Sequence, residues 1–539
     1  MGKRYLALLA DRPHFLGILF VAVALKVVLL SIDAFPFNSD EAIVGLMARH
    51  ILLGERPIFF YGQAYMGSLD AILVALGFAV FGQSVLVIRG LQVLLFAGTV
   101  WTTMQLGWRI FGTRCVVWIA GLLMAVPTVN VTLYTTVSLG GYGEALFIGN
   151  IILLLTLRIH EDPESWWPYV VWGGFVGLGF WGFGLTLVYS IPSCLFVVWT
   201  LHKRSVGQKV FPRLTALVMG LVVGASPWVA YAVTQGPSIL LEELAGSAIA
   251  GASPEGFFAA ILSRAYNFLL LGTTVIWGLR PPWGIRWLAL PLLPFALAFW
   301  LIVSSSSFLS LRTQDSSRQG RILLLSVVGT LIAGFVLTPF GADPSGRYFL
   351  PLAVPLALFA ADFICGLRSR VSKFWQGAVV VGMLAFNLWG TLETSLRKPP
   401  GITTQFDSIT WIDHRRDDEL IAFLERHGET RGYSNYWVAY PLAFLTDERM
   451  IYVPRLPYHQ DFRYTHRYNR YAPYNQEVED SERVAYITTN HPDLDSTLRE
   501  GLRALGVTWK EARIGNYLVY YALSDLVHPE ELGAFWLND

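Results

Sequence analysis

Residues 14–42 read HFLGILFVAVALKVVLLSIDAFPFNSDEA. From His14 to Ile32 the run holds one charge, Lys26, and comes close to the roughly 20 apolar residues that a membrane-spanning helix needs. The polar cluster Asn38-Ser39-Asp40-Glu41 follows at once and opens an amphipathic helix, Glu41–Leu53, closed by Gly54. A span that delivers two adjacent carboxylates to a membrane face sets the first expectation: an embedded chain with polar chemistry at one surface. The basic flank Lys3, Arg4 and Arg12 has no clean small-residue cleavage site after it, so the run reads as a retained span.

The rest of the chain agrees. Of 539 residues, 54% are hydrophobic and only 15% charged, with a mean hydropathy of +0.48. Soluble domains run nearer ~25% charged, which excludes an ordinary soluble enzyme and a disordered protein. A net charge of +1 gives no global field for nucleic acid. The charges are partitioned, however: residues 1–392 carry 24 Lys/Arg and 16 Asp/Glu, and residues 393–539 carry 16 and 23. The expected fold class is therefore a polytopic α-helical membrane domain, 1–392, with a C-terminal soluble α/β domain, 393–539.

Eleven transmembrane helices are expected, near 14–32, 85–107, 115–137, 143–159, 166–182, 184–201, 213–233, 285–303, 321–338, 347–366 and 374–392. Two further apolar stretches, 65–82 (interrupted by Asp70) and 257–279 (with Arg264 and Asn267), are assigned to the membrane surface. That choice places sixteen Lys/Arg on inner segments, from Lys3 to Lys373, and seven on outer ones. It predicts an integral plasma- or inner-membrane protein with a cytoplasmic N-terminus, a long outer loop at 33–84, a second at 234–284, and an extracytoplasmic tail.

In the tail, Asp417–His427 and Asp493–Leu505 read as helices, the second with Leu494, Leu498, Leu502 and Leu505 on one stripe. Arg483–Thr489 and Tyr517–Ala522 read as strands. The three cysteines, Cys115, Cys194 and Cys365, all lie in the apolar part, so the tail is not a disulfide-stapled module.

Three outer-face features carry candidate chemistry. Asp40 and Glu41 could supply a general base; the plainer use of this segment is capping, with Ser39 as N-cap and the carboxylates in the first helical turn. Glu144, in Leu139-Gly140-Gly141-Tyr142-Gly143-Glu144, is a carboxylate at a membrane boundary beside flexible glycines. Arg347, in Asp343-Pro344-Ser345-Gly346-Arg347-Tyr348, could clamp a phosphate oxygen with help from Tyr348, the plainer alternative being snorkelling to headgroups. Arg264 is a weaker candidate of the same kind. Lys26 implies a buried acidic partner. Residues 433–474 hold nine tyrosines among several His and Arg, which suits sugar contact or simple packing. No P-loop, HExxH, GxSxG or paired CxxC is present.

In combination these features resemble the GT-C superfamily of membrane glycosyltransferases, with a nearer resemblance to protein O-mannosyltransferases and lipid A aminoarabinose transferases. The matching elements are Asp40-Glu41-Ala42 after the first span, Ala48–Pro57 (ARHILLGERP), Phe81-Gly82, Arg89, Phe111-Gly112, Glu144 and Arg347–Pro355 (RYFLPLAVP). The resemblance implies a polyprenyl-phosphate-linked sugar donor used at the outer face. Asp40 would be the base of a single inverting displacement, and Glu41 and Glu144 would orient base or acceptor. Arg347, Tyr348 and Arg264 would bind the donor phosphate, while Tyr61, Gln63, Tyr65 and Tyr142 would line the substrate loop. That loop, Tyr61–Gly67, is not proline-led as in the mannosyltransferases, so a protein hydroxyl, a glycolipid and a polysaccharide all stay open as acceptors. No cofactor is implied and no metal cluster is evident, although carboxylates and a phosphate can share a divalent ion. Membrane lipids are the other expected partners, and nucleic acid is not one. The competing readings are a transporter or lipid flippase, and a scaffold whose tail binds surface glycans.

Overall fold

The computed structural model describes residues 12–203, 210–249, 256–343, 345–367 and 372–537. The inner-segment cations Lys3, Arg4, Arg204, Lys209, Arg368 and Arg370, and Pro344 of the Arg347 motif, lie outside the described residues. Among the described residues, nine helices are long and apolar enough to cross a membrane: His14–Ser31, Val85–Phe111, Tyr142–Glu161, Gly184–Lys203, Phe257–Ile276, Leu290–Arg312, Arg318–Leu337, Arg347–Gly366 and Lys373–Ser395. Val210–Gly224 and Ser226–Gln235 make a tenth if counted together, bent by 74° at a proline-led restart. The chain is a polytopic helical membrane protein with a C-terminal sheet.

Two expected spans and one expected surface segment differ, each for a local reason. The 115–137 stretch breaks into Arg114–Ala125 and Val129–Tyr134, because Pro127 drives Val126 out of the helical region. Twelve residues rise only about 18 Å, well short of the ~30 Å hydrocarbon core. The irregular backbone beyond is tolerated because residues 127–146 are all buried in protein. Trp167–Gly182 forms as expected but has only 16 residues. Conversely, Phe257–Ile276, expected at the surface, is a candidate span. Its polar residues find partners: Asn267 Nδ2 donates to the Gly341 carbonyl at 3.0 Å, and the Arg264 stem packs on Gly341.

Among the described residues Lys26 has no acidic partner. Its ammonium donates to the Thr132 and Thr135 carbonyls (3.3 and 3.0 Å) and to the Thr135 and Thr136 hydroxyls (2.8 and 2.6 Å), 4.2 Å from the Phe96 ring centroid. Two carbonyls and two hydroxyls at a helix end thus replace the carboxylate. Helices Trp167–Gly182 and Val210–Gly224 pack backbone to backbone. A Cβ on Gly173 or Gly220 would meet a carbonyl oxygen at 2.1 or 2.0 Å, the small-xxx-small device of membrane helix pairs. Cys115 and Cys365 are disulfide-bonded.

The chain divides into two compact units. The first holds the described residues of 1–32, 65–70 and 89–394; the second holds 33–64, 71–88 and 395–539. In the second unit, Ser39–Leu52 is a helix capped by Asn38, whose side chain accepts from Glu41 N, so the cap lies one residue before the expected Ser39. A ribbon of β1 (Phe59–Phe60) and β2 (Gln63–Gly67) precedes the apolar helix Leu69–Phe81.

The tail is an α/β sheet of order β4-β3-β5-β7-β6, formed by β3 (Arg431–Ser434), β4 (Ile451–Pro454), β5 (Ala485–Thr489), β6 (Lys510–Ile514) and β7 (Tyr517–Tyr521). β3 runs parallel to both β4 and β5, with Ser434 opposite Pro454 and Ile487, while β7 is antiparallel to β5 and β6. β4 and β5 are buried at every residue, the pattern of strands covered on both faces. Helix Pro492–Ala504 buries Leu494, Leu498 and Leu502 as its stripe demands, but Leu505 is its C-cap and is 45% exposed.

Candidate active site

The second unit carries the first acidic pair. Helix Ser39–Leu52 starts where Asn38 caps it, which leaves the next three side chains to face different ways. Glu41 is fully buried, with Asn38 Nδ2 at 3.4 Å from its carboxylate. Asp40 is half-buried, and its Oδ1 accepts from the Tyr436 hydroxyl at 2.5 Å. Burial and the adjacent Asp40 charge push that phenol well above its ordinary pKa, so Tyr436 stays a donor. Gln63 turns its carboxamide oxygen to Arg470, accepting at 2.8 and 3.0 Å, and Arg470 also donates to the Gly62 carbonyl at 3.1 Å. Tyr61 donates to Glu55 at 2.6 Å and lies 2.9 Å from His50 Nδ1.

The first unit carries a cation among aromatic rings. Gly346 has φ +88°, and a Cβ there would meet Val275 at 2.5 Å, so only glycine makes the turn that presents Arg347. Arg347 pairs with Asp343 and lies 5.1 Å from the Tyr348 ring centroid. Its side chain is 37% exposed, yet its Nε is buried and has no hydrogen-bond partner among the described residues. Phe340 links the Tyr348 and Tyr65 rings at 5.2 and 6.2 Å, and Phe183 links Tyr65 to Tyr142 at 6.4 and 4.9 Å. Tyr65, Phe183, Phe340 and Tyr348 also line a cavity of about 360 Å3 whose other walls are mostly apolar, including Leu187, Ile191, Trp228, Leu331 and Phe335.

The same unit holds a second acidic pair. Asp70 accepts from Ser138 Oγ (2.5 Å) and Gly140 N (3.1 Å), and Gln92 Nε2 bridges Asp70 and Glu144 at 3.2 and 3.1 Å. Both carboxylates are buried, and the second Glu144 oxygen has no hydrogen-bond partner among the described residues. Among the described residues no group of three or more His, Cys, Asp or Glu is placed to hold a metal ion.

No family model and no curated protein matches this sequence. Solved structures do match. ArnT from Cupriavidus metallidurans in its apo state is similar with a TM-score of 0.59 at 13% identity, over 93% of this chain and 97% of that one. The same enzyme bound to undecaprenyl phosphate gives 0.57 at 12%, over 95% and 99%. The Archaeoglobus fulgidus oligosaccharyltransferase in complex with Zn and sulfate gives 0.54 at 13%, over 93% and 72%. The chain has the GT-C fold.

Within this GT-C fold the sequence-derived residues fall into two groups. Arg347, Tyr348, Tyr65, Tyr142, Glu144 and Arg264 belong to the first unit, and Asp40, Glu41, Tyr61 and Gln63 to the second. Arg264 supports the turn that precedes Arg347, by packing on Gly341. Sequence reasoning missed Asp70, Gln92, Tyr436 and Arg470. Asp70 had a signal, as the one charge inside an apolar stretch; Tyr436 was one tyrosine among nine, with nothing local to single it out.

Proposed function

We propose that this chain is a glycosyltransferase that moves a sugar from a polyprenyl-phosphate carrier to an acceptor hydroxyl at the outer membrane face. The observation that carries this reading is the Arg347 corner: a guanidinium with an unused buried donor, ringed by tyrosines, beside an apolar cavity of about 360 Å3. An isoprenoid chain gains about 25 cal/mol for each Å2 of apolar surface it buries in such a cavity. Its phosphate finds there the planar, permanently charged fork that suits phosphate oxygens. The undecaprenyl phosphate bound by ArnT, which shares the fold, supports a carrier of this class.

In the proposed step the acceptor hydroxyl gives its proton to Asp40 as its oxygen bonds to the anomeric carbon. The bond from that carbon to the phosphate oxygen breaks on the opposite face, inverting the centre, and the polyprenyl phosphate departs with the electron pair. Negative charge grows on the departing phosphate in a low-dielectric setting, where a fixed Arg347 with Tyr348 is most effective. Tyr65 and Tyr142 flank the donor, Tyr61 and Gln63 shape the acceptor side, and Glu41 and Glu144 serve as structural carboxylates. The sugar is a pentose or hexose, and the acceptor a protein, glycolipid or polysaccharide. The N-terminus lies inside and the tail outside.

Purified full-length protein should bind undecaprenyl phosphate and should release it from undecaprenyl-phosphate arabinose, mannose or glucose when hydroxyl acceptors are supplied. Arg347→Ala should lose at least tenfold in undecaprenyl phosphate binding while keeping its unfolding temperature. A parent protein that neither binds the lipid phosphate nor releases it from any of the three donors would sink the reading.

A further inference from the structure

The tail's sheet contains a topological switch point. From β3 the chain passes through helix Tyr436–Leu445 to β4 on one side, then through Pro473–Glu479 to β5 on the other. In open α/β sheets, ligands settle at the carboxyl ends of strands where the strand order reverses in this way. The residues there are tightly tied: Ser434 Oγ donates to the Ile487 carbonyl at 2.8 Å, Asn435 Nδ2 to Thr489 Oγ1 at 2.8 Å, and Asn435 caps the following helix. The next residue is Tyr436. What meets it is a segment of this chain: Ser39 Oγ donates to the Tyr436 carbonyl at 2.5 Å, and the Tyr436 hydroxyl donates to Asp40 at 2.5 Å.

The Tyr436 ring is held from several sides. Trp437, Tyr440 and Tyr468 lie at 5.0, 5.6 and 5.6 Å between centroids, and the Arg470 guanidinium sits 5.6 Å from the ring centre. Only 3% of the residue is exposed, so its hydroxyl has one fixed direction. Asp40, by contrast, is half-buried and has two side-chain torsions to fix. A hydrogen bond from a rigid donor to one carboxylate oxygen selects a single rotamer and leaves the second oxygen to receive a proton.

We infer that Tyr436 is a positioning residue for Asp40, so that the soluble tail supplies part of the transfer machinery. This inference rests on the reading of Asp40 as base. A base acts efficiently only when held within roughly 10–20° of its working direction. Tyr436→Phe keeps the ring and its neighbours but frees the carboxylate. Its kcat should fall roughly 10- to 100-fold, with KM for donor and acceptor within about twofold of the parent.

The test uses full-length protein in detergent and undecaprenyl-phosphate sugar, reading lipid phosphate release together with thermal unfolding. Tyr440→Phe is the packing control, because its hydroxyl serves the Tyr468 carbonyl and the Arg470 amide rather than Asp40; its kcat should stay within about threefold of the parent. Loss of kcat in Tyr436→Phe alone, at unchanged unfolding temperature, supports the inference. A Tyr436→Phe enzyme with parental kcat, an effect confined to KM, or an equal loss in Tyr440→Phe overturns it. Asp40→Asn separates the two readings. If it retains parental transfer, the base assignment fails and takes this inference with it; if it is inactive while Tyr436→Phe is parental, only the positioning role falls.

Discussion

Two pairs of carboxylates sit in this chain under different physical regimes. Asp40 and Glu41 are neighbours in sequence, yet one is half-buried on a tyrosine hydroxyl and the other is sealed beneath its own helix cap. Asp70 and Glu144 are 74 residues apart, yet share one Gln92 amide and are both buried. Neither member of the second pair has a cation partner among the described residues; both rely on neutral donors. A carboxylate in that position serves chiefly as an acceptor for otherwise unpaired groups. A half-buried carboxylate, open in part to its surroundings, can exchange a proton with a substrate. Exposure and donor type, rather than charge alone, separate the candidate base from structural carboxylates.

The largest effect should break or uphold that contrast directly. Asp40→Asn should lose roughly 10²–10⁴-fold in transfer, the usual contribution of a general base. Glu144→Gln keeps an oxygen for Gln92 and should retain transfer within about tenfold. Both are read as polyprenyl phosphate release by the purified variants. If the ranking is reversed, the base lies in the buried pair instead.

Stability should show the opposite ranking. Asp70→Ala leaves Ser138 Oγ–H, Gly140 N–H and part of the Gln92 amide without an acceptor. A loss of roughly 2–4 kcal/mol is expected. Asp40→Ala leaves one buried donor, the Tyr436 hydroxyl, without its acceptor and should cost less, roughly 1–2 kcal/mol. Chemical unfolding in detergent measures both; equal losses would remove the distinction.

Much of this was legible in sequence because membrane burial writes long, coarse signals. The run to Leu30 and the Leu494–Leu505 stripe are local patterns, and helices lie where those patterns put them, with Leu505 alone off the buried stripe. What failed depended on partners far along the chain. The charge bias of the loops puts 257–279 at the surface, whereas Phe257–Ile276 is long and apolar enough to cross, with Asn267 bonded to the distant Gly341 carbonyl. Lys26 called for a carboxylate, yet four threonine oxygens serve it. Tyr436 meets Asp40 from 396 residues away, a pairing that no periodicity encodes. Interior polar groups are satisfied by whatever the fold brings, and only the need for a partner is written locally.

A third acidic pair, Asp447 and Glu448, gives the smallest test and completes the contrast, because here the carboxylates do have cations. Arg49 bonds Asp447 at 2.7 Å and lies 3.3 Å from Glu448, which also meets His50 Nε2 at 2.9 Å and the Tyr474 hydroxyl at 2.6 Å. Burial alone would push the Glu448 carboxyl up, but the bonds from His50 and Tyr474 and the nearby positive charge outweigh it and bring it down to about 2. The folded value is below the ordinary 4.5, so the unfolded chain takes up the proton first. The stabilisation is therefore whole above about pH 4.5 and is lost as pH falls toward 2. Partial exposure of the group screens it, which reduces the expected size to about 1–2 kcal/mol. The stability gap between the parent and Glu448→Gln should be widest at pH 6 and narrow by pH 3. A gap independent of pH would mean that His50 and Arg49 do not hold Glu448 as an anion, and the line drawn between paired and unpaired carboxylates would lose its clearest member.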